Sequence, residues 1–176
     1  MENSEIVLYV LLGIFLLIAF YTDARTSKIP NWLTVSGAAI GFLYYLIVDG
    51  WGGLLFSFVG FLVGFGVMFV LYLIKAISAG DVKLFGAIGA LTGLEITLYG
   101  MMYSIFYAAF IGIIILLFKK EFWIRIRNIF YRILNLIMFR DYKSIVAIDK
   151  KEAMTFPFMY AVLPAMITTI YLYITI

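Results

Sequence analysis

The sequence predicts an all-α polytopic membrane protein with six transmembrane helices and one cytoplasmic interfacial amphipathic helix. Of its 176 residues, 65% are hydrophobic and only 13% are charged, whereas a soluble domain is about 45–50% apolar and about 25% charged. Six apolar stretches are separated by Gly, Pro and charged residues. Because one helix needs about 20 residues to cross the hydrocarbon core, the chain has room for six crossings, short loops and one longer polar segment.

The stretches follow one another with clear breaks. The first begins after the acidic segment Met1–Glu5, and since a signal peptide would start with a basic region, we expect a permanent span. Pro30 breaks the chain before the second stretch, Asp49 follows it, and the short fourth stretch ends near Glu95. The predicted spans are Ile6–Tyr21, Leu33–Val48, Trp51–Ile74, Val82–Leu94, Ile96–Phe118 and Phe156–Ile176.

The basic residues predict the orientation of these spans. All 13 Lys and Arg fall in the first, third and fifth connections, whereas the N-terminus and the other two connections hold only acids, among them Asp49 and Glu95. Cytoplasmic loops carry the excess of Lys and Arg. The pattern therefore predicts odd-numbered connections in the cytoplasm and both termini outside.

The fifth connection, Lys119–Glu152, contains the predicted interfacial helix, Phe122–Phe139. Its apolar residues recur at three- and four-residue steps opposite a polar face. A seventh span here would bury Arg125, Arg127 and Arg132, at about 2.5–3.5 kcal/mol each near the bilayer centre. We therefore expect a helix lying flat at the headgroups, and we favour a membrane anchor over a surface that guides a substrate.

Two residue types that carry much of enzyme chemistry are missing from the chain. The sequence has no Cys and no His, which excludes disulfides, cysteine nucleophiles, Ser-His catalysis and the common zinc motifs. No metal and no organic cofactor is implied. Proton transfer must therefore depend on Asp, Glu, Lys or Tyr.

Asp23 and Asp81 stand out among the ten acids because the predicted topology places both at the cytoplasmic membrane face. Ionisable groups beside hydrocarbon are costly and are candidates for function. Two neighbouring carboxyls share a proton, so that one acts as a base and the other as an acid, as in aspartic proteases. Alternatively, Asp23 pairs with Arg25 or Lys28, and Asp81 pairs with Lys83, and these ion pairs only fix the interface.

Glycines mark predicted close contacts. Gly80 directly precedes Asp81 and would allow another backbone to approach closely or support a tight entry into the helix. Small residues spaced four apart favour helix packing in membranes. Such pairs are Gly37 and Gly41, Gly60 and Gly64, and Gly89 and Gly93.

Three segments resemble those of the type IV prepilin and preflagellin peptidases, a family of GxGD membrane aspartic proteases. Residues 23–34, Asp-Ala-Arg-Thr-Ser-Lys-Ile-Pro-Asn-Trp-Leu-Thr, resemble the first motif of the family, and Ala79–Leu84 resembles its GxGD motif. Phe156–Ala161 is similar to the segment of the final span. The resemblance covers nearly the whole chain, with the motifs in the order and spacing of the family.

The resemblance implies an aspartic endopeptidase that removes short basic leaders from prepilin-like precursors at the cytoplasmic face of a prokaryotic inner membrane. Asp23 and Asp81 match the two catalytic aspartates, and Lys83 matches the basic residue after the second. Gly80 and Lys83 are then expected to support the catalytic site. The implied partners are a prepilin-like substrate and membrane lipid, with no nucleic acid.

The chain departs from the family pattern in two places. Ser78 stands where the GxGD motif has its first Gly. Larger bacterial members carry a cytoplasmic domain with paired Cys motifs, associated with N-methylation of the product, and this chain has neither. It therefore resembles the compact members, and we expect residues 1–176 to form a single membrane domain without methyltransferase activity.

Two rival functions remain open from the sequence. A small proton-coupled transporter would use the same intramembrane acids, although such carriers are often built from internal repeats and none is visible here. A non-catalytic membrane scaffold for pilus assembly is the other rival. Release of a leader peptide from a precursor separates the peptidase from both.

Overall fold

The computed structural model describes residues 3–118 and 157–175, and within these ranges it contains four helices and no strand. They are α1 (Asn3–Thr26), α2 (Asn31–Leu73), α3 (Ala79–Phe118) and α4 (Met159–Thr175). The predicted all-α class is confirmed. The proposed interfacial helix, Phe122–Phe139, and the whole of the fifth connection, Lys119–Glu152, lie outside the described residues.

Helix α2 reverses direction at Gly50. This residue has φ 61° and ψ −140°, a left-handed backbone that glycine adopts without the steric cost of a Cβ atom. The rings of Phe42 and Phe61 have centroids 5.6 Å apart, and those of Tyr45 and Phe56 are 5.1 Å apart. Nineteen residues of straight helix would separate the first pair by about 28 Å. The residues before and after Gly50 therefore form two antiparallel segments.

Helix α3 reverses in the same way at Gly93, which has φ 74° and ψ −171°. The carbonyl of Phe85 and the methyl group of Thr97 both lie within 4 Å of the point where a Cβ atom of Gly64 would sit. Twelve residues of straight helix would separate them by about 18 Å. The described residues therefore form six helical segments, which correspond to the six predicted apolar stretches.

Length and composition make three of the helices able to cross a membrane. These are Ile6–Thr26, Asn31–Leu73 and Ala79–Ile115, and the apolar α4 is shorter, with 17 residues. By contact the chain divides into two compact units. The first contains residues 3–108 and 157–175 of the described chain, and the described part of the second, residues 109–118, is the helical end of α3.

The first unit is apolar both inside and outside. Its core contains Leu12 of α1, Phe85 and Ile88 of α3 and Met166 of α4, which are all fully buried. On the outer surface, Ile47 is 81% exposed and many other large apolar side chains are also exposed. Helices that are apolar all round are typical of a protein surrounded by lipid.

Glycines bring the central segments into backbone contact, as their spacing predicts. A Cβ atom on Gly89 would collide with the carbonyl of Gly60, and one on Gly64 would collide with the carbonyl of Phe85. Gly41 similarly faces the backbone of Ala90, whose carbonyl accepts a 2.6 Å hydrogen bond from Ser57. The predicted packing surfaces at these glycines are confirmed.

Candidate active site

Asp23 lies near the end of α1 and contacts the start of α4. Its side chain is buried, and its Oδ2 accepts a 3.0 Å hydrogen bond from the backbone N–H of Met159. The first N–H groups of a helix have no partner within the helix, and the positive end of the helix dipole favours a carboxylate there. Asp23 therefore caps α4 from a distant part of the chain.

Asp81 lies at the start of α3 and caps its own helix. It is also buried, and its Oδ2 accepts a 3.0 Å hydrogen bond from the backbone N–H of Ser78. An acid at the third helical position that bonds back to the capping residue forms half of a capping box. Ser78 thus stands at the helix cap, which is compatible with the replacement of the first Gly of the GxGD motif.

The structure brings the two aspartates to the same end of the helices. Their carboxyl groups interact electrostatically. Each uses one oxygen to accept a hydrogen bond from a main-chain N–H at a helix start. The arrangement holds each of the two carboxyls by a main-chain donor at a helix start.

The nearby cations have neutral hydrogen-bond partners. Lys83 donates a 2.8 Å hydrogen bond from Nζ to Oδ1 of Asn31, and Arg25 donates one of 2.8 Å from Nη1 to the hydroxyl of Tyr21. In the described part of the chain, Arg25 and Lys83 make these contacts instead of the alternative ion pairs with Asp23 and Asp81. Lys83 instead joins the start of α3 to the start of α2.

Gly80 lies against the loop that connects α1 to α2. A Cβ atom on Gly80 would sit 3.4 Å from Oγ of Ser78 and 3.6 Å from Cβ of Ile29, which are ordinary contact distances. Close backbone approach therefore does not explain a glycine here. Gly80 is connected to the site because it directly precedes Asp81 in the chain.

Two site contacts were not found from the sequence. The spacing Ser78-x-x-Asp81 is a capping-box pattern that sequence reasoning could have identified. The Met159 donor lies 136 residues from Asp23, and no local pattern indicates such a contact. Within the described residues, 3–118 and 157–175, there is no group of three or more His, Cys, Asp or Glu side chains that could hold a metal ion.

The sequence of this chain matches the model of a known protein family. The model of the type IV leader peptidase family matches residues 10–117, which is more than half of the chain and includes both aspartates. No curated protein matches the chain, and no solved structure does.

Proposed function

Because the chain belongs to the type IV leader peptidase family, we propose that it is a membrane-embedded aspartic endopeptidase. Its substrates are type IV prepilin-like precursors, from which it removes the short basic leader. The proposed catalytic residues are Asp23 and Asp81, with Gly80 and Lys83 as support. Residues 1–176 act as a single membrane peptidase domain without N-methyltransferase activity.

The observation that carries this proposal is the paired burial of Asp23 and Asp81. Each is only 5% exposed, and their carboxyls interact with one another. Burying an ionised carboxylate without a partner is expensive, and a purely structural cap would tolerate a neutral acceptor. Two interacting acids in one buried position are typical of a dyad that exchanges a proton.

The chemistry follows from the shared proton. The ionised aspartate takes a proton from a water molecule, and the water oxygen attacks the scissile carbonyl carbon. The protonated aspartate donates its proton to the carbonyl oxygen, which gives a neutral tetrahedral diol. Collapse of the diol breaks the C–N bond, the leaving nitrogen receives a proton from the dyad, and the new carboxylic acid and amine depart.

The hydrogen bonds at the starts of α3 and α4 hold the two carboxyls that act as the acid and the base in this mechanism. In each aspartate, Oδ2 faces a main-chain N–H of Met159 or Ser78. The mechanism then requires one carboxyl oxygen of each aspartate to reach water or the peptide. Since helix starts are rigid elements, this arrangement pre-orients the acid and the base before the substrate arrives.

The proposed topology has six membrane crossings in the prokaryotic cytoplasmic membrane, with both termini outside. The reversals at Gly50 and Gly93 support six crossings because they divide α2 and α3 into antiparallel segments. The confinement of all Lys and Arg to alternate connections supports cytoplasmic placement of the aspartates. The cut then falls at the cytoplasmic face.

The test is cleavage of a tagged prepilin by the purified full-length protein. We expect wild type to release the leader, and Asp23→Asn and Asp81→Asn each to reduce the rate by about 100-fold or more, since a positioned acid or base contributes about 10²–10⁴-fold. Glu95→Gln, which changes an exposed acid at the Gly93 reversal, is the matched control and should retain the rate. Near wild-type cleavage by either folded Asn variant would exclude the aspartic mechanism and favour the carrier.

A further inference from the structure

A groove lies beside the Gly93 reversal, at the end of the helices away from the aspartates. It encloses about 370 Å³ and is lined mainly by Leu55, Phe56, Val59, Glu95, Ile96 and Tyr173. The ring of Phe56 packs directly against Gly93, where a Cβ atom would collide with it. The volume is within the range of small-molecule sites, about 300–1,000 Å³.

The groove carries a negative charge. Among the described residues that line it, Glu95 alone is charged, and its side chain is exposed. The three helices that line the groove carry a single cation, Lys83, and it lies near the start of α3, at the end occupied by Asp81. The lining helices therefore supply no positive partner beside Glu95.

Aromatic rings lie in and beside the groove. Phe56 and Tyr173 line the groove, and the ring of Tyr45 lies 5.1 Å from that of Phe56. Aromatic faces combined with carboxylates are the surroundings in which proteins bind ammonium groups.

The surface near the groove carries exposed aromatic residues of the kind found at the level of lipid headgroups. Trp51, next to the Gly50 reversal, is 78% exposed, and Tyr99 is 52% exposed. Trp and Tyr are enriched where a membrane protein meets the boundary between hydrocarbon and water. A ligand here can therefore place an apolar chain in the groove and a polar head beside Glu95.

We propose that this groove binds a phospholipid with an ammonium headgroup, phosphatidylethanolamine. The ammonium pairs with Glu95 beside the rings of Phe56 and Tyr173, and an acyl chain lies against Leu55, Val59 and Ile96. Phosphatidylglycerol has the same apolar chains and phosphate but hydroxyls in place of the ammonium, so its headgroup brings no positive charge to Glu95. The proposal is independent of the peptidase chemistry.

The test measures lipid binding to the purified full-length protein after lipid removal. The protein is titrated with phosphatidylethanolamine or phosphatidylglycerol of identical acyl chains, and bound lipid is counted by native mass spectrometry. We expect wild type to bind phosphatidylethanolamine about fivefold more tightly, from one partly exposed ion pair and one cation–π contact. Glu95→Gln should make the two affinities equal, and Glu95→Lys should favour phosphatidylglycerol.

Tyr173 and Tyr171 provide a matched pair of controls. Both are exposed tyrosines on α4, and of the two only Tyr173 lines the groove. Tyr173→Ala should weaken the preference, and Tyr171→Ala should leave it unchanged. Equal affinities in wild type, or a preference that survives both Glu95→Gln and Tyr173→Ala, would overturn the proposal. Weaker precursor binding by Glu95→Gln, with lipid affinities unaltered, would instead make the groove a substrate site.

Discussion

The backbone N–H of Met159 donates a 3.0 Å hydrogen bond to Oδ2 of Asp23. The two residues are 136 positions apart in the sequence, so this contact fixes the end of α1 to the start of α4. The same carboxyl also interacts with Asp81. One side chain thus caps a helix with one oxygen and, in the proposed mechanism, leaves the other oxygen to the substrate or water.

The capping role of Asp23 can be separated from its chemistry. Asp23→Ala removes the acceptor for Met159 and should lower the free energy of unfolding by about 1 kcal/mol, which is about 2–4 °C in Tm for a chain of this size. Asp23→Asn keeps an acceptor oxygen and should lose much less. Thermal unfolding in detergent measures both variants, and equal losses of Tm would show that the Met159 contact contributes little.

The proposed dyad should act as a unit. Asp23→Asn combined with Asp81→Asn should cost little more cleavage activity than either change alone, because residues that act together are strongly non-additive. The rate should also fall at both pH extremes, since the dyad works with one proton. At low pH both carboxyls are protonated, and at high pH both are ionised, with two apparent pKa values that belong to the pair. Additive losses, or a rate that stays constant with pH, would contradict the dyad.

Gly89 and Gly66 test the packing of the central segments. A Cβ atom on Gly89 would collide with the carbonyl of Gly60, whereas one on Gly66 would meet no atom within 4 Å. Gly89→Ala should therefore destabilise the protein by about 1–3 kcal/mol through overpacking. Gly66→Ala should stabilise it by about 0.5–1 kcal/mol, because alanine favours helix. Chemical unfolding compares the two variants, and similar stabilities would mean that the segments do not pack this closely.

The predicted orientation can be tested with single cysteines because the chain has none of its own. The charge pattern predicts that the segment Lys119–Glu152 faces the cytoplasm. A Cys in place of Val146 should resist an impermeant thiol reagent added to intact cells and react with it after the membrane is opened. A Cys in place of Ser4 should react from outside. The reverse pattern of labelling would invert the topology.

Local sequence patterns were sufficient for much of the fold. Apolar stretches interrupted by Gly50 and Gly93 predicted the six helical segments, because a continuous helix of about 40 residues is twice as long as one membrane crossing needs. The spacing of Gly60, Gly64 and Gly89 predicted backbone contact between helices. The resemblance identified the family from motifs around Asp23 and Asp81, and the family match confirmed it.

The sequence was less informative about the hydrogen-bond and packing contacts of the site residues than about the fold. Lys83 was considered as an ion-pair partner of Asp81, yet it donates to Asn31, 52 positions away. For Gly80 the sequence offered close backbone approach or a tight entry into the helix, and the structure argues against the first because it leaves room for a Cβ atom there. In both cases the outcome depends on how the α1–α2 loop lies against the start of α3, which sequence neighbours do not determine.

By itself, the sequence determined the helical class and the places where the helices reverse, and it indicated the two acids that we propose as catalytic. These properties depend on composition, periodicity and the conformational freedom of glycine, which are local to the chain. Only the tertiary structure decided which donors hold each carboxylate, which glycines touch and that Glu95 and Tyr173 line the same groove. Those contacts join residues that are distant in sequence, and a hydrogen bond or packed surface between them exists only once the segments have docked.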